Sequence, residues 1–445
     1  MELGGIGQIY QIIGLLASSC AIALYGYSYA ANARNIRIYG NIAFIIAGIG
    51  IFAASVTLVI ALAISDFSIA YVASYTDISL PLFYKLSAFW GGQAGSLLLW
   101  AFLLVLFGAI EIFRLRKLDD KYQSAVMLTM AVITAFFIML VSFLQNPFET
   151  VNVIPSNGRG LNPLLQNPGM VIHPPTLYIG YVGYAVIFSH AIGAILSRNF
   201  SADWIKLARS WSLIIWAFLT IGIVIGAWWA YVELGWGGYW AWDPVENASL
   251  MPWFTATAFL HSAYIYERKN SLRIWSFILI FITFELTILG TFITRSGIIE
   301  SVHSFGPNAI GSYFLFFMAA SSVIYLLILM MNPDFKTLAK NNEFSFLSRE
   351  GMIFIANWLL IAITIAVIYG TLSPAITGAI SENKQTIELS YYNAATRPFF
   401  FLIILLSGIG ILTGFKAGGI REFFSKLALP AALAFAGTVI LIILG

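Results

Sequence analysis

Between Ala227 and Trp253 the chain places six tryptophans and two tyrosines in 27 residues. The stretch runs Trp228-Trp-Ala-Tyr-Val-Glu-Leu-Gly-Trp-Gly-Gly-Tyr-Trp-Ala-Trp-Asp-Pro-Val-Glu-Asn247. Large rigid aromatics provide stacking area for a planar, apolar macrocycle. Glycines among them let the backbone approach a flat ligand closely. The competing reading is an interfacial belt of indoles, which needs scattered rings but neither these glycines nor Asp243, Glu246 and Asn247. Trp228, Trp236, Trp240, Trp242 and Asp243 are therefore candidates for a ligand surface. Asp243-Pro244 also reads as a turn that orients the loop before the next helix.

The chain has only four histidines. His173 lies in Asn167-Pro-Gly-Met-Val-Ile-His-Pro-Pro175, and His303 in Thr294-Arg-Ser-Gly-Ile-Ile-Glu-Ser-Val-His303. They flank the aromatic stretch in sequence. Two imidazoles about such a platform are what an exchangeable, six-coordinate haem iron requires. Taken singly, each could instead cap a helix or bond a loop carbonyl. Arg295 could pair with haem propionates through its planar fork, or be an ordinary interfacial arginine. His190 and His261 fall inside apolar runs. There an ionisable group is a functional candidate by default, although a neutral histidine bonded to a neighbouring helix is the common case and the one expected for His190.

These groups need elements that can hold them in lipid. The chain is 60% hydrophobic and 10% charged, against roughly 25% charged in soluble domains. The expected class is an all-α polytopic membrane protein. Twelve spans are expected near 6–28, 40–64, 95–113, 122–144, 175–196, 210–231, 250–266, 274–294, 309–331, 352–372, 397–415 and 428–444, each long enough for a ~30 Å hydrocarbon core. They group into N-terminal helices (1–80), a core around the tryptophans (81–308) and C-terminal helices (309–445). The start of the chain lacks the basic region and cleavage site of a removable signal, so the first run is expected to stay as a span.

Of the 23 Lys and Arg, only Lys85, Arg159, Arg295, Lys384 and Arg397 fall in one set of alternate loops; the rest fall in the other. Positive-inside bias puts the richer set in the cytoplasm. Both termini, the tryptophan-rich loop, His173 and His303 are then outside. A single cysteine, Cys20, excludes a disulfide framework or a Cys-rich metal site within the chain. No phosphate-binding loop is present, and no nucleic acid partner is expected.

At Trp236-Gly-Gly-Tyr-Trp-Ala-Trp-Asp-Pro-Val-Glu-Asn247, at His173-Pro-Pro175, and at Thr291-Phe-Ile-Thr-Arg-Ser-Gly297 leading to Ser301-Val-His303, the sequence resembles the CcmF-type cytochrome c haem lyases. These belong to the wider haem-handling family with a WWD segment that includes CcmC and CcsA. Gly91-Gly-Gln-Ala-Gly-Ser96 looks like a further family segment, and the likeness covers roughly residues 80–400. The resemblance implies that haem b from a CcmE-like chaperone is held by His173 and His303. Its vinyl groups would then meet the Cys-x-x-Cys-His of an apocytochrome c presented by a CcmH/CcmI-like subunit, on the outer side of the plasma membrane. The thiols belong to the substrate, so no catalytic residue is expected of this chain. The resemblance also implies an embedded haem b with His261 as one axial ligand. A second embedded histidine, which long family members carry further on, has no counterpart after His303 in this sequence. A separate polypeptide supplying it is one expectation, and an absent or differently ligated haem the other. A haem-loading or docking subunit without lyase activity, and a secondary transporter with a midplane site, are the alternative functions.

Overall fold

The computed structural model describes residues 2–235, 238–301, 305, 309–334, 338, 346–381, 386–414 and 420–444. The helices are α1 (Leu3–Ala31), α2 (Arg34–Ile64), the short α3 (Ala70–Tyr75) and α4 (Leu82–Ser87), α5 (Gln93–Leu115), α6 (Asp120–Met139), α7 (Pro168–Val182), α8 (Tyr184–Ser197), α9 (Ala202–Glu233), α10 (Pro244–Lys269), α11 (Arg273–Ser296), α12 (Ile310–Met330), α13 (Arg349–Ile380), α14 (Leu389–Leu412) and α15 (Ile420–Leu444). Among the described residues there is no β-strand, only an isolated bridge between Ile69 and Thr150. The all-α expectation holds.

Eleven spans are long and apolar enough to cross a membrane, α7 and α8 running on as one from Pro168 to Ser197. The remaining expected span, 250–266, corresponds to α10, a helix of 26 residues. At 1.5 Å per residue it is about 39 Å long. It falls short in apolarity, because Thr255, Thr257, His261 and Ser262 interrupt its apolar run.

The chain forms two compact units. The first holds residues 1–253 and 280–335, the second 254–279 and 336–445. In the first unit α1 packs on α2 and α6, α6 on α8, and α7 on α9. Lipid tails are as apolar as leucine, so helices in a membrane associate by close packing at small residues. The buried face of α1 accordingly repeats Gly4, Gly7, Gln11, Gly14, Ser18 and Ala21 at helical spacing, and a side chain at Gly7 would collide with the Phe148 ring. In the second unit α13 packs on α14.

A buried polar knot pins four helices of the first unit. Glu111 on α5 lies 3.1 Å from His190 Nε2 on α8 and accepts from the Trp211 indole on α9. The Tyr122 hydroxyl on α6 lies 2.7 Å from His190 Nδ1. His190 is thus the histidine bonded to neighbouring helices that the sequence led us to expect.

Candidate functional site: a chamber lined by His173, Trp229 and Arg295

His173 was expected just outside the fifth span, and the structure corrects this. It sits inside α7, which starts seven residues earlier than the span expected from 175. Asn167 caps the helix by accepting from Gly169 N at 2.7 Å, and Pro168 occupies the first helical position, where its missing N–H costs nothing. Pro174 and Pro175 lie within the helix. Proline cannot donate to the carbonyl four residues back, so Pro174 orphans the Met170 carbonyl. The Trp90 indole, 80 residues away in sequence, supplies that donor at 2.8 Å.

Helix α9 reaches α7 through glycine. A side chain at Gly222 would meet the Leu177 backbone, and one at Gly226 would meet the His173 ring at 2.5 Å. The approach lets His173 Nδ1 donate to the Gly222 carbonyl at 2.8 Å. A carbonyl can only accept, so the neutral ring carries its proton on Nδ1 and its lone pair on Nε2. Such a bond orients a histidine for ligating a metal.

The ring of Trp229 lies 5.9 Å from that of His173, centroid to centroid. Trp228, one residue earlier, is 50% exposed and does not line the chamber. His173, Trp90, Tyr178, Trp229 and Arg295 line a cavity of about 330 Å³, the size of a small-molecule site. A smaller space of about 60 Å³ shares His173 and Trp229 and is bounded by Trp240 and Glu246. Trp240 and Trp242 meet edge to face at 6.0 Å. Trp253, the last ring of the stretch, belongs to packing: it stacks on Trp216 of α9 and donates to Thr220 Oγ1 at 2.7 Å.

Arg295 is not an interfacial side chain. It is 1% exposed and donates to Gln93 O at 3.3 Å, Ser96 Oγ at 3.0 Å and the Tyr178 hydroxyl at 2.8 Å. Its guanidinium also faces the Phe305 ring at 5.0 Å. No carboxylate pairs with it among the described residues. A buried cation without a counter-charge is costly, and one at a chamber wall suits an anionic ligand group. The Gly91–Ser96 segment is the seat of this arginine.

Asp243 starts α10 in a capping box. Its Oδ2 accepts from Val245 N at 3.0 Å, and Glu246 reaches back to accept from Asp243 N at 3.2 Å and Ala241 N at 2.9 Å. Asn247 donates to the Trp242 carbonyl at 2.9 Å. This holds Trp242 in the left-handed region at φ +55°, which is uncommon for a side chain this bulky. Trp236 and His303 lie outside the described residues. Described residues on either side of His303 are anchored: Ser301 Oγ donates to Asp243 Oδ2 at 2.7 Å, and Phe305 N to Thr294 O at 3.1 Å. His261, about two thirds of the way along α10, belongs to the second unit and is exposed there.

Residues 90–299, which hold this chamber and its loop, match the family model described as cytochrome C assembly protein. Over these residues the chain is similar to that family. It is 38% identical over 379 residues to the cytochrome c-type biogenesis protein CycK of Bradyrhizobium diazoefficiens, an alignment covering 85% of this chain and 57% of that protein. It is 39% identical to CcmF of Pseudomonas aeruginosa, covering 84% of this chain and 57% of the relative. With CcmF of Escherichia coli it shares 37% identity over 88% of this chain and 60% of the relative. The solved structure of a cytochrome c haem lyase, CcmF, superposes with a TM-score of 0.79 at 29% identity, covering 98% of this chain and 66% of that one. The chain thus spans between half and two thirds of the length of these relatives.

Proposed function

We propose that this chain is the haem-holding part of a cytochrome c haem lyase, attaching haem to the Cys-x-x-Cys-His of an apocytochrome c. The observation that carries the reading is the chamber, where an oriented imidazole, an aromatic wall and a buried arginine with no acidic partner among the described residues meet. These are the three things a haem presents needs for: iron, a flat macrocycle and propionates. His173 and His303 would hold the iron until the substrate histidine displaces one. Trp229, Trp240 and Trp242 would face the macrocycle, with Trp228 and Trp236 as the further candidates from the sequence. Arg295 would take a propionate, leaving the vinyl edge, on the far side of the porphyrin, turned away from the arginine.

The reaction adds a thiol across a vinyl double bond. A sulfur–carbon bond forms, the thiol proton passes to the other vinyl carbon, and no electron is gained or lost. The chain's contribution is positioning, which can supply several kcal/mol towards the barrier. A CcmE-like chaperone would deliver the haem and a CcmH/CcmI-like subunit would present the apoprotein. The skew of basic residues to one set of loops supports a plasma-membrane protein with its chamber on the extracytoplasmic side. An exposed histidine in the interior of a helix supports His261 as an axial ligand of an embedded haem b.

The propionate role is tested by comparing haem with its dimethyl ester, which lacks the carboxylates. The purified chain should bind haem at least tenfold more tightly than the ester. Arg295→Gln, which keeps polar contacts but removes the charge, should erase that preference. An undiminished preference in the variant would remove Arg295 from the site.

A further inference from the structure

Helix α7 carries His173 three residues after Met170, a buried residue whose carbonyl loses its helical donor to Pro174. A buried carbonyl left without a donor destabilises the turn that carries it. The Trp90 indole meets it at 2.8 Å. Trp90 ends a short 3-10 turn, Ala88–Trp90, and one buried hydroxyl braces the backbone on both sides of it. The Tyr71 hydroxyl donates to the carbonyls of Ala88 at 2.8 Å and Phe89 at 3.1 Å, and accepts from Gly92 N at 2.9 Å. The chain then enters α5, where Gln93 O and Ser96 Oγ accept from Arg295. One braced segment, 88–96, therefore reaches two walls of the chamber: the helix of His173 through Trp90, and Arg295 through Gln93 and Ser96.

We propose that Trp90 is a positioning residue for His173: its indole N–H stands in for the helical donor that Pro174 removes, and so ties the helix of the iron ligand to the segment that seats Arg295. This rests on the haem reading above. It gives the proline after His173 a task, since a carbonyl freed inside the helix becomes the point at which the helix is held. A rigid macrocycle fixes the separation of iron and propionate, so a site that holds the same separation in advance has less to order when the ligand arrives.

The test is a double-variant cycle on the full chain in nanodiscs: Trp90→Phe, with and without Pro174→Ala. Phenylalanine keeps a ring at residue 90 but has no donor, and alanine at residue 174 restores the backbone N–H that the Met170 carbonyl lacks. In haem-free protein, hydrogen exchange in peptides covering 168–176 should be about tenfold faster in Trp90→Phe, the factor expected when a buried acceptor loses its donor. In the Pro174→Ala background the same change should leave exchange as it was. Equal acceleration in both backgrounds, or none in either, would overturn the tie. In protein loaded with ferric haem, Trp90→Phe should move the spectrum from six-coordinate low-spin towards five-coordinate high-spin, in the direction of His173→Ala, and should do so only where Pro174 is present. An equal change in both backgrounds would mean that the ring acts on the ligand directly and would overturn the positioning role, as would an unaltered spin state. Wild-type protein that takes up no haem would overturn that role together with the reading it rests on, and the exchange cycle would still decide the tie.

Discussion

His173 illustrates how much a single ligand depends on its surroundings. The imidazole is oriented by a backbone carbonyl that can reach it only because residue 226 has no side chain. Gly226→Ala would place a carbon 2.5 Å from the ring, and the ring must move. Outer-shell changes of this kind cost roughly 10–100-fold in affinity for the metal group, so haem titration of Gly226→Ala should show a loss of that order with the fold intact. Affinity equal to wild type would mean that the ring is not held as described. The histidines and Arg295 were legible in the sequence as chemistry but not as geometry. His173 read as a loop residue because two prolines follow it, whereas a tryptophan 83 residues upstream satisfies the carbonyl that Pro174 leaves open. No local pattern reports such a bond. Trp228 was singled out and Trp229 lines the chamber. Adjacent helical residues point about 100° apart, and Gly222, Gly226 and Trp229 share one face at i, i+4 and i+7. That spacing was available in the sequence and marks Trp229 as the ring on the face towards α7.

At the level of elements, function and support occupy different parts of the first unit. The start of α7, the end of α9, the start of α10 and the end of α11 enclose the chamber. The Glu111 knot ties α5, α6, α8 and α9 to one another. Removing one member of a buried hydrogen-bonded network leaves its partners unsatisfied, at a cost of about 1–3 kcal/mol. Glu111→Ala should therefore lower the thermal unfolding temperature clearly in detergent. The spectrum of haem bound at the chamber should stay the same in whatever protein remains folded. An unchanged melting temperature would show that the knot contributes little. The spans themselves were legible because lipid demands long apolar runs. The seventh, α10, was found by its spacing between loops although its apolarity is marginal, because Thr255, Thr257, His261 and Ser262 lie along its length.

For the whole molecule, composition was enough to give the membrane class, and the loop charges gave an orientation. Neither could give the division into two compact units, two of whose three boundaries fall inside α10 and α11 and so leave no change of composition to read. The two units also separate the proposed tasks. His173 and Arg295 belong to the first and His261 to the second, so holding the transferred haem and holding an embedded one are assigned to different parts of the chain. The central claim concerns the first unit, and covalent haem on a reporter cytochrome c tests it most directly. The chain would be supplied in cells lacking their own lyase, as wild type and as the His173→Ala, His303→Ala double variant at equal membrane levels. The account predicts haem-stained reporter with the wild type and none with the double variant. Normal maturation of the reporter by the double variant would contradict it.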